Sequence, residues 1–560
     1  MRTIPQKLKV QLCGSLFCFT LFSFSALGVD IQPRPGDPIP SLSDELMKRF
    51  ELGKIAYEKD FAAEDGLGPI FNQTSCASCH NSPVGGPGNQ TVTVFGMLDK
   101  KGGFNPLANL GGSLLQAQAL NDACLEIVPP EANITSLRVT NGSLAYGFVE
   151  AIPDSALLDN QKQQDESIRG KAHMVYNFED ETDQLHVGRF GWKAQIASIL
   201  TFSSDASLNE MGLTNRFLPI ENAPNGNEEL LETYDTVSDP EDVSDSDGFD
   251  FIDRVTDFQR LLAPPPQTPQ SGMSGEFIFN QIGCVDCHTK TFVTSNGSSI
   301  MEPLRGQTIH PYSDFLLHDM GISGDGIAQG NATGRELKTP PLWGLAYRTP
   351  LWHDGRIDIG NFETRMAAAI SEHGSFGSQG QSSAGAFNQL SSTEQAQLFA
   401  FLKSLGQLEF DGDSDGDVEI DDFHGYSDTI GFRSCYEIET TPDDPCAIHD
   451  INQDGIVNLD DFDLFIVAID DELDDCNKNG SYDLLDILLG ADDFDNNGIL
   501  DECETCLGDI NGDNALNVSD ILAIIDAWGT CDGCAADVNV DGAVNVTDLL
   551  FIVGNWGPCS

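Results

Sequence analysis

The chain has 560 residues, with 88 acidic against 29 basic side chains and a net charge of -59. That length exceeds what one core can hold, so roughly three or four domains are expected. So acidic a surface repels nucleic acid and anionic membranes, and it attracts cations and basic partners.

Residues 1–28 read as a signal peptide. Arg2, Lys7 and Lys9 give the positive start, residues 12–27 are largely apolar, and Ala26-Leu27-Gly28 is a small-residue cleavage site. Ser and Gly break the apolar run, which argues for removal over a retained anchor. No later segment reaches the ~20 apolar residues of a transmembrane helix. The mature protein is expected to be exported to the periplasm, cell envelope or extracellular space, with no transmembrane anchor and no nucleic-acid partner.

Residues 29–407 are expected to be mainly α. Apolar residues at three- and four-residue spacing predict helices over 41–57, 191–202 and 392–405. The last has a start signal, Ser391 followed three residues later by Glu394. Strand patterns are sparse, and Pro, Gly, Asn and Ser punctuate the rest. Pro264-Pro265-Pro266 reads as a linker between lobes at 29–265 and 266–407.

Each lobe carries one Cys-x-x-Cys-His string: Cys76-Ala77-Ser78-Cys79-His80 and Cys284-Val285-Asp286-Cys287-His288. In such a string two thiols add to the vinyl groups of a porphyrin, and the histidine reaches the iron. A zinc site would need a further Cys-x-x-Cys nearby, and neither string has one. Two haem c groups are therefore expected in cytochrome c-like lobes. Cys76, Cys79, Cys284 and Cys287 would attach them, with His80 and His288 as proximal ligands.

From Gln407 onward Arg433 and Lys478 are the only Lys or Arg residues, while Asp dominates. Oxygen side chains recur at positions one, three, five, nine and twelve of an EF-hand-like calcium loop, usually with Gly at six. Six windows fit, starting at Asp411, Asp450, Asp475, Asp493, Asp509 and Asp537. The clearest two are Asp509, Asn511, Asp513, Asn517, Asp520 and Asp537, Asn539, Asp541, Asn545, Asp548. They start 28 residues apart, and apolar helices are predicted after them over 521–528 and 549–556. The tail thus divides into acidic Ca2+-loop repeats over 408–505 and a duplicated module over 506–560. Of 15 cysteines, Cys13 and Cys18 leave with the signal, Cys124 stands alone, and eight lie in the tail. An even number in an exported tail points to disulfides. The shared period predicts Cys506–Cys531 and Cys534–Cys559.

Several longer strings add a resemblance. They are Gly66-Leu67-Gly68-Pro69-Ile70, Gly147-Phe148-Val149-Glu150-Ala151-Ile152-Pro153-Asp154 and Gly188-Arg189-Phe190-Gly191-Trp192-Lys193-Ala194. Further on come Leu317-His318-Asp319-Met320-Gly321, Thr339-Pro340-Pro341-Leu342-Trp343-Gly344-Leu345 and His353-Asp354-Gly355-Arg356. With these the chain resembles the di-haem cytochrome c peroxidase and MauG-like superfamily, in its branch of di-haem oxidoreductases often labelled thiol oxidoreductases.

The resemblance implies a peroxidase-like enzyme. One haem would meet a small oxidant such as hydrogen peroxide, and the other would pass electrons from an electron-donor protein. It implies Trp192 as the aromatic residue between the haems and Glu210 as the acid/base. It implies His373 as distal ligand of the second haem, with Met366 as its rival. The peroxidases place Trp before Asp-Gly-Arg, and here that string, Trp352-His353-Asp354-Gly355-Arg356, lies in the second lobe. His173 and His186 are candidates for the distal side of the first haem, while His318 and His353 suggest packing or propionate contact. The duplicated tail units resemble a type I dockerin, which implies a cohesin-like or cell-surface partner. They depart from it at Asn514, Val518-Ser519 and Val546-Thr547. Two rival readings stand beside the enzyme: an electron-transfer cytochrome without substrate chemistry, and a scaffold-associated protein acting through its tail. Outside its haem strings the haem region holds only Cys124, which gives the thiol label little support.

Overall fold

The computed structural model describes residues 31–425, 429–494, 496–503, 507–511, 515–531 and 534–558. They fall into two compact units, 32–407 and 408–560. Among the described residues no helix is long and apolar enough to cross a membrane.

In the first unit the opening helix runs Asp44–Glu58, where 41–57 was expected. Its start is set by Ser43, whose side chain accepts from the Leu46 N–H, and by Asp44 and Glu45 in the first turn. Phe50 and Tyr57 pack against Phe258 of the helix Phe251–Leu261, with ring centroids 5.2 and 4.9 Å apart. A third helix, Ile199–Met211, meets that one through polar groups: Thr256 and Gln259 both donate to the Ser203 hydroxyl, at 2.9 and 3.1 Å. The first Cys-x-x-Cys-His string hangs on this group, because the Ala77 N–H donates to the Tyr57 carbonyl at 3.1 Å.

The predicted helix over 191–202 is displaced. Gly191 and Ala194 sit at φ 73° and 49°, in the left-handed region. The Arg189 and Phe190 N–H groups both donate to the Ile196 carbonyl, at 2.8 and 2.9 Å, and close a loop instead. The helix starts only where the Ser198 side chain can accept from the Thr201 N–H.

Strand is less sparse than expected. Thr91–Leu98 pairs antiparallel with Ile134–Val139 over six residue pairs, and with two short strands, Leu114–Leu115 and Phe104–Asn105. Its run Thr-Val-Thr-Val is β-branched throughout, which suits a pleated surface. Helix outweighs strand in the chain, but mainly α is too simple a description of a unit built around this four-stranded sheet.

The second string follows the helix Ser274–Gln281, which packs on Ser392–Ser404 with Phe279 and Phe401 centroids 5.5 Å apart. The latter helix has the reciprocal cap expected at Ser391 and Glu394.

Among the described residues of the second unit, five helices follow acidic loops: Ile420–His424, Leu459–Ala468, Asp483–Leu488, Val518–Asp526 and Val546–Gly554. Phe410, Phe423, Phe432, Phe462 and Phe465 fill one core. Leu516, Ile524, Val538, Val544 and Ile552 fill another, shared by the two duplicated repeats. The repeats pair crosswise, Ala515–Leu516 with Gly557–Pro558 and Gly529–Thr530 with Ala543–Val544.

Disulfides join Cys435 to Cys446, Cys476 to Cys503 and Cys531 to Cys534. The last overturns both predicted pairings, since each needed one of its two cysteines. Crosswise pairing explains it. The strand ends at Thr530, paired with Ala543, and Cys531 and Cys534 have Cα atoms 6.0 Å apart. Cys506 and Cys559 lie outside the described residues.

Candidate functional site

Two cavities open in the first unit, one beside each Cys-x-x-Cys-His string. The first has a volume of about 680 Å³, and the second about 200 Å³. Cys76, Cys79 and His80 line the first, and Cys284, Cys287 and His288 line the second. All four cysteines are free thiols.

The histidines are held as metal ligands should be. A carbonyl oxygen can only accept, so a ring nitrogen beside one carries the proton. The His80 Nδ1 lies 3.2 Å from the Gly86 carbonyl, and the His288 Nδ1 lies 2.9 Å from that of Tyr312. The His373 Nδ1 lies 2.7 Å from the Ala369 carbonyl. Each Nε2 is thereby left as the basic atom, and this backbone anchoring is typical of histidines that hold a metal. Burial pushes His80 and His288 down to about 4, so both are neutral at pH 7, as ligation requires.

His288 and His373 face one another with ring centroids 6.4 Å apart. With metal–nitrogen bonds of about 2 Å on each side, two opposed imidazoles have centroids about 6 Å apart. The pair therefore has room for one iron between them. Met366, the rival, also lines this cavity but is buried in the apolar core beneath it. The residues of both cavities fit a haem attached through the paired thiols.

Among the lining residues of the first cavity His80 is the only histidine. His173 is buried elsewhere, with Nδ1 2.8 Å from the Lys193 carbonyl and Nε2 accepting from the Asn331 N–H at 3.2 Å. His186 lies between Asp180 and Asp154. Neither lines the cavity.

Glu210 does line it, near the end of Ile199–Met211. Its Oε2 accepts from the Asn72 side chain at 2.7 Å, and its carbonyl accepts from the Asn72 N–H at 2.7 Å. Burial, reinforced by the nearby Asp205 carboxylate, pushes Glu210 up to about 7. Asp205, on the same helix and lining the same cavity, is pushed by burial to about 6. The sequence reading passed over Asp205, although an acid within a largely apolar helix was a signal.

Trp192 lines both cavities. Its indole N–H donates to the Val139 carbonyl at 2.9 Å, while the Val139 N–H donates to the His353 carbonyl at 2.8 Å. The end of one strand thus fixes the indole and the His353 backbone together. The His353 ring lies 6.4 Å from both Trp192 and Trp352, is 1% exposed, and has an Nδ1 with no hydrogen-bond partner. Trp352 stands 5.2 Å from His373. Next to Trp192, the fully buried Lys193 ammonium pairs with Asp325 at 2.7 Å, and Arg138 pairs with the same carboxylate at 2.8 Å.

The matching strings noted in the sequence meet at Arg189. Its guanidinium donates to the Val187, Val149, Glu150 and Ile152 carbonyls and pairs with Asp154. It thereby clamps the 147–154 stretch to the loop that carries Trp192. Glu150 in turn accepts from the Ile199 N–H at 2.7 Å, which caps the helix of Asp205 and Glu210.

His318 is not placed to bind metal. Its Nε2 is 2.8 Å from the Asp314 carboxylate, and its Nδ1 faces the Cys287 sulfur at 3.5 Å. Burial opposes its charge, but Asp314 outweighs this and holds His318 well above the usual histidine range. Two further cations, Lys338 and Arg348, line the second cavity and escaped the sequence reading. Burial, with Arg348 beside it, lowers Lys338 to about 7.

In the second unit the loops repeat one geometry. Both oxygens of Asp537 accept from the loop backbone, from the Asp541 N–H at 3.1 Å and the Gly542 N–H at 2.9 Å. Asp548 accepts from the Val538, Asn539 and Asn545 N–H groups. Asp520 does the same with Ile510, Asn511 and Asn517. Asn539, Asp541 and Asn545 stay near the loop surface, bonded among themselves. Asp509 and Asn511 are described, and Asp513 lies outside the described residues. Earlier in the tail, Asp411, Asp413 and Asp415 converge with ligand atoms within 4.8 Å.

Comparison with known proteins gives two family matches. Residues 132–405 match the family described as "Di-haem oxidoreductase, putative peroxidase", and residues 507–554 match the dockerin type I domain. The first match contains Trp192, Glu210, Cys284 to His288 and His373, while Cys76 to His80 precede it. No curated protein matches the chain. Similar solved structures include two of low identity. One is a MauG-like protein associated with microbial copper homeostasis, 16% identical over 67% of this chain and 93% of that chain, with a TM-score of 0.31. The other is Kuenenia stuttgartiensis hydrazine synthase, 12% identical over 72% of this chain and 100% of that chain, with a TM-score of 0.26. Likenesses this weak say nothing about mechanism. Residues 132–405 thus resemble the di-haem oxidoreductase family, and residues 507–554 resemble a dockerin type I domain.

Proposed function

We propose that residues 32–407 are an exported, peroxidase-like di-haem c enzyme, working in two cytochrome c-like lobes, and that the tail binds calcium and attaches the enzyme to a partner. The observation that carries this reading is the asymmetry of the two cavities about Trp192. One has a single histidine and buried acids, and the other has two opposed histidines.

Haem, when bound, supplies one-electron chemistry and an iron that a small oxidant can reach. Cys76, Cys79 and His80 would hold it in the first cavity. Cys284, Cys287, His288 and His373 would hold it in the second, where Lys338 and Arg348 offer positive charge to its carboxylates. Glu210, with a proton that comes and goes near pH 7, is the group suited to take a proton from a peroxide and return it to the departing oxygen. Asn72 orients that carboxyl. Trp192 is the side chain suited to carry electrons between the cavities.

In the tail the loop aspartates are arranged for hard cations with oxygen ligands. Leu522, Ile525 and Trp528 in one repeat, and Leu550, Val553 and Trp556 in the other, are about half exposed. These apolar faces suit a cohesin-like or cell-surface protein.

The test is low-temperature EPR of the oxidised and half-reduced protein, before and after hydrogen peroxide. A high-spin signal that peroxide abolishes is expected. Two low-spin signals indifferent to peroxide in both redox states would sink the peroxidase reading and leave an electron carrier.

A further inference from the structure

We infer that Glu221, Asp239 and Glu241 form a site for a hard divalent cation, of the calcium class, inside the first unit. The site lies apart from the tail loops and from the Cys-x-x-Cys-His strings themselves, although Glu221 also lines the far wall of the first cavity. One ligand atom from each carboxylate lies within 4.8 Å of the others. Twice a calcium–oxygen bond is about 5 Å, so one such ion can reach all three carboxylates.

The argument does not rest on the clustering alone. Glu221 is 5% exposed, and neither of its carboxylate oxygens makes a hydrogen bond of good geometry, the Asn222 N–H being only a weak neighbour. The Oε1 of Glu241 is likewise buried without a partner. An ionised carboxylate left so is costly unless a cation or proton joins it. The other Glu241 oxygen accepts from the Thr214 N–H at 3.0 Å, and the Thr214 hydroxyl bonds Asp239 at 3.0 Å, so these two carboxylates are held in place. Burial and the neighbouring carboxylates push Glu221 up to about 9, which is the price of bringing them together without positive charge.

The surrounding backbone is shaped for this group. A Cβ at Gly68 would lie 2.7 and 2.8 Å from the two Glu221 oxygens and 2.7 Å from the Gly212 carbonyl oxygen. A Cβ at Gly66, where φ is +97°, would fall 2.1 Å from the Glu241 Cγ. Only glycine at both positions lets the 66–68 stretch lie over the carboxylates. That same stretch donates from the Gly68 N–H to the Met211 carbonyl, and then reaches Asn72, the partner of Glu210. A cation here would join Glu221 to residues 239–241 directly beneath the 66–68 stretch, beside the end of the Glu210 helix. The consequence for Glu210 rests on its proposed acid–base role, while the cation count does not.

The test uses the full haem-loaded chain, stripped of metal and dialysed against buffered free calcium. Elemental analysis then counts calcium per chain. Wild type is expected to retain one more calcium than either Glu221→Gln or Glu241→Gln, while Asp537→Asn marks the separate tail contribution. Equal counts in wild type and both glutamine variants would overturn the inference. Thermal unfolding gives a second reading. Glutamine is neutral at constant size and needs no proton to be buried there, so in calcium-free buffer both variants are expected to unfold above wild type. Saturating calcium is expected to reverse that order. Variants that stay above wild type in both buffers would mean a bare acidic cluster and would overturn the site.

Discussion

The two cavities flank one indole and are built on the same five-residue string, yet they are furnished differently. The first holds about 680 Å³, one histidine, and two acids raised to about 6 and about 7. The second holds about 200 Å³, two histidines with ring centroids 6.4 Å apart, and basic side chains at its wall. An attachment string alone therefore does not decide what a haem site does. The decision lies in whether a second imidazole or a proton-bearing carboxyl completes the wall.

The sharpest way to break this contrast is to remove the second imidazole. His373→Ala is expected to abolish the low-spin EPR signal of the second site altogether, with His80 and its site unchanged. A low-spin signal that survives would make Met366 the ligand. Next comes Glu210→Gln, expected to cut peroxide turnover by about a hundredfold or more, in the range of general acid–base catalysis. The sign of the pH effect follows from the raised value. Glu210 is neutral below about pH 7 and anionic above it, so kcat/KM should rise through about pH 7 as the base form appears. Glu210→Gln should flatten that limb. A limb that persists would assign the titration elsewhere, with Asp205 first in line.

Trp192→Phe is expected to lower turnover on the order of tenfold with little change in KM, since it touches electron supply and not oxidant binding. Stopped-flow reoxidation of the second haem checks this directly. The smallest effect belongs to Lys338→Met. Loss of that cation should lower the potential of the second haem by on the order of 50 mV, about tenfold in a one-electron equilibrium. Spectroelectrochemistry would show it, and a shift confined to the first haem would contradict the assignment of Lys338 to the second cavity.

What was legible in the sequence was whatever is encoded over a few residues. The Cys-x-x-Cys-His strings, the Ser391–Glu394 cap and the aspartate spacing of the tail loops all have local meaning. The helix at Ile199–Met211 was misplaced because apolar spacing continues upstream of Ser198, where Gly191 and Ala194 turn the chain left-handed. The disulfides were mispaired because equal spacing along the chain says nothing of crosswise strand pairing. Lys338 and Arg348 escaped because nothing local distinguishes a lysine at a cavity wall from one in solvent. Val139 escaped for a similar reason, since its role lies in its backbone, which any residue shares.

The buried cluster beside Trp192 carries one further consequence. Arg138 and Lys193 both pair with the Asp325 carboxylate, the Lys193 and Asp325 side chains fully buried and Arg138 at the edge of the first cavity. Burial lowers Lys193 to about 8, and Asp325 and Glu336 oppose that shift and so help it keep its proton. A buried pair of this kind is costly to break. In the proposed role the loop that carries Trp192 is therefore pinned, and the path across the indole keeps one length.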